Sequence, residues 1–220
     1  DQTSYALCFL YDLIPDRHIE AAKGYFRKII EEANYLIGTG FIGTPALLPA
    51  LTKMGMTDLA EKVFLNRDVP GWLYQVEQGA TTIWERWDAI GPDGEIYDPY
   101  MNSFTHYAYG AVSQWLFEDV AGLPPSEDGA GFDKVRLSPV ILPELEYVNA
   151  WHDCRNGKIT AAWRLDGSAV TYMVSLPEGC EATFAPTPHH TNCRLGDTPI
   201  SEAGITLQAG THEITFDLNI

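Results

Sequence analysis

The amino-acid sequence predicts a helical domain followed by an all-β domain, because the spacing of its apolar residues changes along the chain. Apolar residues recur every three or four positions in the first half and alternate with polar residues in the second half. The length of 220 residues suits one or two domains. A hydrophobic fraction of 45% supplies enough apolar surface for packed cores. We predict one domain over 1–123 and another over 132–220, with a linker between them.

The first domain is predicted to contain five or six helices, placed by apolar spacing and by residues that start or stop a helix. Pro15, Gly38 and Gly55 are expected to end the first three helices, because proline and glycine interrupt helical hydrogen bonding. Asn102 or Ser103 is expected to cap the last one. The predicted helices cover 5–14, 16–38, 44–55, 57–64, 72–78 and 102–122.

Strict alternation of apolar and polar residues predicts strands in the second domain. The two clearest strands cover 159–165 and 170–176, and the turn residues Asp166, Gly167 and Ser168 between them indicate a hairpin. The closing residues 214–218 continue the same pattern. About seven short strands separated by Gly, Pro and Asn turns predict an antiparallel β-sandwich.

The charge balance limits the classes of partner. With 14 Lys and Arg against 30 Asp and Glu, the formal net charge is −16, which repels phosphate backbones and anionic lipid. We therefore expect no nucleic-acid or membrane partner, and no apolar run reaches the ~18 residues of a membrane span.

The four cysteines are expected to be mostly free thiols. A chain beginning at Asp1 without Met is expected to be part of a longer protein, so its compartment stays open between cytoplasmic, periplasmic and secreted.

Two patterns that resemble known binding motifs have simpler interpretations. Residues 38–43 match G-x-G-x-x-G, but a helix rather than a strand is expected before them, so we expect a loop between helices, near a ligand. The second domain also contains histidines and cysteines without zinc-site spacing, and we predict no metal and no cofactor. These residues are His152, Cys154, His189, His190 and Cys193.

Residues 79–100 have no clean period and are predicted to be irregular, yet they contain the densest group of candidate site residues. Glu85 lies between Trp84 and Trp87. Indole faces stack on the apolar faces of sugar rings, and a carboxylate can stabilise or activate groups at an oxocarbenium-like transition state. The alternative is an ion pair of Arg86 with Glu85 or Asp88 on the surface, beside tryptophans of the core.

His106 is the second candidate, in the segment 102–107. It is expected in the first turn of a helix, where the positive end of the dipole disfavours imidazolium. A neutral histidine there can exchange a hydrogen bond with a substrate hydroxyl. The alternative is a histidine satisfied by the neighbouring main chain.

Taken together, four segments resemble the C-terminal part of bacterial α-L-rhamnosidases, glycoside hydrolase family 78: QTSYAL (2–7), TGFIGT (39–44), GATTIWERW (79–87) and NSFTHYAYG (102–110). The resemblance implies an (α/α)₆ barrel, an inverting mechanism and terminal α-L-rhamnose as substrate. It also implies that Glu85 is the general base, that His106 binds the sugar, and that Trp84 and Trp87 line the pocket. The sequence departs from the family pattern at Thr105, where Asn is expected, and at Gly71, where Ser is common.

The resemblance also implies that part of the enzyme lies outside these residues. An inverting glycosidase needs a second carboxyl group as general acid, and the family's acidic, Arg-containing segment is absent from the sequence. Five or six helices would form only the second half of the barrel, so we expect the chain alone to lack activity and to self-associate through uncovered helices. The alternatives are a non-catalytic carbohydrate-binding or structural module, or a different (α/α)₆ enzyme such as another glycosidase or a phosphorylase relative.

Overall fold

A computed structural model describes residues 1–100 and 102–219 of the chain. It divides into two compact units, Asp1–Trp115 and Leu116–Ile220. The first is helical and the second is built from β-sheets, which confirms the predicted order of the two classes. The predicted domain limits of 1–123 and 132–220 stay a prediction. No helix in the described part of the chain is long and apolar enough to cross a membrane.

The first unit contains six α-helices within its described residues, and 3₁₀ turns at Asp16–His18 and Tyr107–Ala111 precede the second and the last of them. The helices are α1 (Gln2–Leu10), α2 (Ile19–Glu32), α3 (Thr44–Lys53), α4 (Thr57–Phe64), α5 (Trp72–Glu77) and α6 (Val112–Trp115). Helix α3 contributes most to the buried core, which also includes Phe9 of α1, Phe26 of α2 and Leu59 of α4. A side chain at Gly43 would collide with Thr3, so glycine is required there, just before α3 begins.

Two predicted helix ends are wrong, whereas Gly55 directly follows the end of the third helix with a φ of 71°, as predicted. The first helix stops at Leu10, short of Pro15, because Asp12 adopts a left-handed conformation with φ of 54°. The second stops at Glu32 because Asn34 and the residue after it are also left-handed. Gly38 therefore does not end the second helix. Its N–H instead donates to Gln2 Oε1 at 2.7 Å.

The last helical segment begins later than the sequence predicts. His106, rather than Asn102 or Ser103, caps the 3₁₀ turn that leads into α6. Residues 79–100 are irregular as predicted, with a turn closed by the Gly94 N–H donating to the Gly91 carbonyl at 2.9 Å. The irregular stretch is where Glu85 lies.

The second unit contains two sheets. The strands are β1 (Lys134–Leu137), β2 (Tyr147–Cys154), β3 (Gly157–Asp166), β4 (Ala169–Leu176), β5 (Glu181–Phe184), β6 (His190–Leu195), β7 (Thr198–Pro199), β8 (Ile205–Leu207) and β9 (Gly210–Leu218). The larger sheet has strand order β2-β3-β4-β9-β6-β7 and is antiparallel throughout. The smaller sheet has the order β1-β5-β8 and pairs β1 with β5 in parallel. The described residues thus form more strands than predicted, and one pair is parallel rather than antiparallel.

The predicted hairpin is confirmed in β3 and β4. Asp166 pairs with Ala169 across a two-residue turn, in which Gly167 has a φ of 61°. The inward side chains of these strands alternate as expected and include the buried Trp163 and Tyr172.

Those two aromatic residues also fix the chain that enters the second unit. Trp163 Nε1 donates to the Val120 carbonyl at 2.8 Å. The Tyr172 hydroxyl lies 3.0 and 3.1 Å from the carbonyl oxygens of Ala121 and Gly122. Because all these groups are buried, the hydrogen bonds satisfy polar atoms that water cannot reach.

The predicted linker folds back on itself within the second unit. Pro125 pairs with Val135, and the Ser126 N–H donates to the Lys134 carbonyl at 2.9 Å. The intervening residues form a closed loop, tied at its base by these contacts.

Candidate active site

Glu85 and His106 are brought together by main-chain pairing of two irregular segments. The Glu85 N–H donates to the Ser103 carbonyl at 2.8 Å, and the His106 N–H donates to the Ile83 carbonyl at 2.8 Å. The two hydrogen bonds set 83–85 alongside 103–106. Two residues 21 positions apart in the sequence therefore lie in neighbouring segments, although only Glu85 lines the cavity described below.

Helix α5 holds the Glu85 segment from the other side through Gln75. The Gln75 side chain is buried, its Oε1 accepts the Trp84 N–H at 3.4 Å, and its Nε2 donates to the Arg86 carbonyl at 3.2 Å. One amide thus bridges the main chain on both sides of Glu85. The main chain at Glu85 is fixed by α5 as well as by the pairing with 103–106.

A stack of aromatic rings forms the floor beside Glu85. The rings of Trp87 and Tyr109 are parallel within 17°, with centroids 3.9 Å apart. Trp72 meets Trp87 edge to face at 5.4 Å, and its Nε1 donates to the Tyr109 carbonyl at 2.9 Å. The hydrogen bond and the stacking fix the orientation of the Trp87 and Tyr109 rings.

An open cavity of about 320 Å³ lies over this floor. The Glu85 carboxylate accepts no hydrogen bond from residues 1–100 or 102–219, which leaves its lone pairs available to a water or a ligand hydroxyl. The indole Nε1 of Trp87 is a buried donor that has no partner in the described part of the chain. The cavity is lined by Phe41, Glu85, Arg86, Trp87, Asp88 and Tyr109.

The ion pair considered as the alternative is present, but Glu85 is not part of it. Arg86 Nε lies 3.2 Å from Asp88 Oδ1, and its second nitrogen reaches the other oxygen at 3.5 Å. The guanidinium also lies over the ring of Tyr97, 4.2 Å from the centroid. Its hydrogen bonds to Asp88 raise the pKa of Arg86. The site therefore combines one ion-paired carboxylate, Asp88, with one unpaired carboxylate, Glu85.

His106 lies beside the cavity. Its Nδ1 accepts the Ala108 N–H at 3.5 Å, so a neutral ring carries its proton on Nε2 and can donate from there. The ring stacks on Phe41, with centroids 4.8 Å apart. His106 is therefore the capping residue before the turn rather than a residue of the first turn.

The two predicted tryptophans differ in placement. Trp87 lines the cavity, whereas Trp84 is only 3% exposed and packs edge to face against Phe104 at 5.5 Å. The indole of Trp84 does not line the cavity, and its contact with substrate stays a prediction.

Phe41 and Tyr109 belong to the site but were not singled out as site residues from the sequence. Both lie in segments that carry the family resemblance, and Phe41 is in the glycine-containing loop 38–43, expected to lie near a ligand. Burial raises the pKa of the Tyr109 hydroxyl, which keeps that group protonated and able to donate. The signal for these residues was their position in the motifs rather than their spacing.

Two histidines of the second unit, His152 and His190, pack against aromatic rings. His152 lies against Phe132, with ring centroids 4.1 Å apart, and His190 lies against Phe216 at 4.2 Å. Burial lowers the pKa of His190 to about 4. Within residues 1–100 and 102–219, no three His, Cys, Asp or Glu side chains are grouped as a metal site requires.

The carboxylate, the histidine and the stacked aromatic rings lie in a helical unit that is followed by a β unit, and comparison with known families identifies both units. Residues 1–120 match the bacterial α-L-rhamnosidase 6-hairpin glycosidase domain. Residues 122–195 match the bacterial α-L-rhamnosidase C-terminal domain. Because the first match covers more than half of the chain, the chain belongs to the bacterial α-L-rhamnosidase family.

Individual relatives of the chain are α-L-rhamnosidases. The chain is 34% identical over 220 residues to an α-L-rhamnosidase of Streptomyces avermitilis, covering 97% of this chain and 21% of that protein. It is 35% identical over 182 residues to an α-L-rhamnosidase of Formosa agariphila, covering 82% of this chain and 19% of the relative. The chain therefore spans about a fifth of the length of these relatives.

Solved structures agree with the sequence comparison. The crystal structure of the Streptomyces avermitilis α-L-rhamnosidase complexed with L-rhamnose matches with a TM-score of 0.84 at 33% identity, over 97% of this chain and 21% of that one. The native α-L-rhamnosidase from Aspergillus terreus matches with a TM-score of 0.85 at 32% identity, over 97% of this chain and 24% of that one. The local folds described above are thus those of rhamnosidases.

Proposed function

We propose that this chain forms part of an inverting α-L-rhamnosidase, supplying the second half of an (α/α)₆ barrel and the β-sandwich domain that follows it. The observation that carries the proposal is the unpaired Glu85 carboxylate on an aromatic floor, in a chain similar to a rhamnosidase that was crystallised with L-rhamnose. The substrate class is a glycoside with terminal α-L-rhamnose.

In this proposal Glu85 is the general base. Its carboxylate is free of protein partners in the described part of the chain and faces a cavity, so it can accept a proton from a water that attacks the anomeric carbon. The hydrogen bonds to Gln75 and Ser103 hold its main chain in place before substrate arrives. Such fixed positioning is worth several kcal/mol in the transition state.

His106 and Trp87 are proposed to bind the sugar. With Nδ1 engaged by the main chain, His106 presents Nε2–H to a sugar hydroxyl. Trp87 offers its ring at the cavity wall. Trp84 is proposed to hold the main chain next to Glu85 in place, through its buried packing against Phe104.

The general acid is proposed to come from another part of the whole protein. Inverting enzymes separate their two carboxyl groups by roughly 6.5–9.5 Å. Asp88 lines the same cavity, but both of its oxygens face Arg86. A carboxylate that serves as the counterion of an arginine does not suit proton donation, which leaves the acid to a residue beyond this chain.

Activity on p-nitrophenyl α-L-rhamnoside tests the assignment. The 220-residue chain is expected to be inactive and the longer protein active, and Glu85→Gln in the longer protein is expected to lower kcat by 10²–10⁴-fold or so. Glu95→Gln is the matched control, because Glu95 is exposed in the same irregular stretch. Proton NMR of the first product should show β-L-rhamnose, the inverted anomer.

The outcomes separate this proposal from its alternatives. A longer protein that binds rhamnosides without hydrolysing them indicates a carbohydrate-binding module. Inhibition by glucose rather than rhamnose indicates a different (α/α)₆ enzyme. Full activity of Glu85→Gln removes Glu85 from the role of base.

We also propose that the isolated 220-residue chain self-associates. Apolar side chains of the first unit are exposed, among them Leu13 at 65%, Ile42 at 78% and Val76 at 61%. Static light scattering should give a mass above that of a monomer, and a monodisperse monomer would contradict this part of the proposal.

A further inference from the structure

Two of the four cysteines lie side by side in the second unit. The sulfur atoms of Cys154 and Cys180 are 3.9 Å apart, and both thiols are free. Cys154 ends β2 of the larger sheet, and Cys180 directly precedes β5 of the smaller sheet. The remaining cysteines, Cys8 and Cys193, approach no other cysteine, although all four lie in the described part of the chain.

The two cysteines are held next to each other by packed turns rather than by chance contact. Asn156, in the turn between β2 and β3, donates from Nδ2 to the Gly179 carbonyl at 3.0 Å and reaches Cys180 Sγ at 3.6 Å. The Cys180 N–H donates to the Pro177 carbonyl at 3.1 Å. Gly157, in the same hairpin, lacks a side chain where one would press on Pro177. The hairpin tip and the turn 177–180 are therefore fixed against each other.

The two thiols differ in access. Cys154 is half-buried and its thiol donates to the Gly157 carbonyl at 3.1 Å, whereas Cys180 is buried. Burial also raises the pKa of the Cys180 thiol. Cys154 is thus the group that an external reagent reaches first, and Cys180 is placed to react second.

We propose that Cys154 and Cys180 are a redox-active pair that small disulfides oxidise to an intramolecular disulfide. The Cys154 thiolate attacks one sulfur of the reagent, so that a mixed disulfide forms and one thiolate leaves. The Cys180 thiolate then attacks the Cys154 sulfur and expels the second thiolate. Two cysteine thiols are oxidised, one reagent disulfide is reduced to two thiols, and the two cysteine protons end on the released thiolates.

The cross-link would connect the larger sheet to the strand that enters the smaller one. It closes a loop between residues 26 positions apart. Restricting the unfolded chain in this way is expected to lower the equilibrium constant for unfolding of the second unit on the order of 10²-fold. Reduction would reverse the effect, so the stability of this unit would follow the thiol–disulfide balance of its surroundings.

Mass spectrometry of the folded 220-residue chain treated with bis(2-hydroxyethyl) disulfide tests the proposal. We expect a mass loss of two hydrogen atoms and a peptide map that joins Cys154 to Cys180. In Cys180→Ser the reaction should stop with one mercaptoethanol unit on Cys154, while a Cys8→Ser, Cys193→Ser double variant should still form the disulfide. Dithiothreitol should restore the thiols, and the urea midpoint of the second unit should be higher before that reduction than after it.

The wild-type map does not depend on any variant folding correctly. A wild-type chain that keeps both thiols, or that stops at the mixed disulfide, overturns the proposal. A disulfide mapped to this pair with an unchanged urea midpoint overturns its stabilising effect.

Discussion

Replacing Gln75 with leucine is predicted to release the main chain around Glu85 without opening a cavity, because the two side chains have similar volumes. Gln75 is 2% exposed, and its amide accepts from the Trp84 N–H at 3.4 Å and donates to the Arg86 carbonyl at 3.2 Å. Leucine leaves the buried Trp84 N–H without a partner. It also removes one of two hydrogen bonds to the Arg86 carbonyl, which still accepts the Ala89 N–H at 3.4 Å. The change therefore isolates the hydrogen bonds from the packing.

The magnitude follows from the two lost hydrogen bonds. A buried polar group left unsatisfied costs about 1–3 kcal/mol, and the loss of one hydrogen bond to a group that keeps another costs about 0.5–1.5 kcal/mol. Both bonds are long, which places each cost near its lower end, or about 1.5 kcal/mol together. For a unit of this size that corresponds to a fall in Tm of roughly 6 °C. The effect is large enough to measure and small enough to leave the chain folded.

The same substitution is predicted to affect catalysis in the longer protein. A shift of about 1 Å in a catalytic group can cost 10²-fold in rate. We expect kcat on p-nitrophenyl α-L-rhamnoside to fall on the order of 10–10²-fold with a smaller change in KM, because Gln75 positions Glu85 and does not line the cavity.

Urea unfolding of the 220-residue chain, followed by tryptophan fluorescence, measures the first effect, and steady-state kinetics of the longer protein measure the second. Gln78→Leu is the matched control, because Gln78 ends the same helix and its side chain makes no hydrogen bond within the residues described. Equal urea midpoints for the two variants would refute the role of the Gln75 amide in stability. An unchanged kcat in Gln75→Leu would refute its role in positioning Glu85.

Three further predictions concern the second unit, all measured as free energies of unfolding in urea. Tyr172→Phe should cost about 1–3 kcal/mol, because it leaves two buried main-chain carbonyls without their hydroxyl partner. The control Tyr147→Phe, at an exposed position, should cost almost nothing. Similar losses in both variants would contradict the prediction. His190 has a pKa lowered to about 4 by burial, so its contribution is complete above about pH 6.5 and is lost as the pH falls towards 4. His190→Gln should flatten that window, which is worth about 3 kcal/mol at most; an unchanged slope would argue against it. Burial and the adjacent carboxylate raise the pKa of Asp119 to about 7, so its ionisation destabilises the fold as the pH rises from about 4 to 7. Asp119→Asn should therefore be more stable than the wild type at pH 8 by on the order of 1 kcal/mol and equal to it near pH 4; a gain that persists at pH 4 would point to another cause.

The strands of the second unit could be predicted because their signal is local. In β3 and β4 the period of two places Trp163 and Tyr172 on the buried face, and the structure has them there. The turn between these strands follows from Gly167, which takes a φ of 61°. No information from distant residues was needed for either result.

The ends of the first two helices could not be predicted, because they depend on contacts far along the chain. Asn34 and Tyr35 adopt left-handed backbone conformations and so end the second helix before it reaches Gly38, the predicted end. The Asn34 carbonyl accepts a hydrogen bond from Asn66 Nδ2 at 2.9 Å, which is a contact across 32 positions. A capping rule that considers only neighbouring residues favours the glycine.

The candidate site could be predicted from the sequence only in part. The motifs identify Glu85 and His106 as a pair, but the orientation of each side chain depends on the pairing of 83–85 with 103–106. Without a regular period, nothing in the sequence distinguishes Trp84, which faces the core, from Trp87, which faces the cavity. The same holds for the thiol pair, whose members are 26 positions apart and share no motif.

The arrangement around Glu85 also indicates which parts of the site this chain supplies by itself. Every contact described around the base comes from the first unit: the amide of Gln75, the carbonyl of Ser103 and the stacked rings of Trp87 and Tyr109. These residues hold the main chain at the proposed base, whereas we propose that proton donation to the leaving group needs a residue beyond this chain. If the longer protein is active and this chain is not, the difference measures the contribution of the general acid and of the missing walls, rather than a misplaced base.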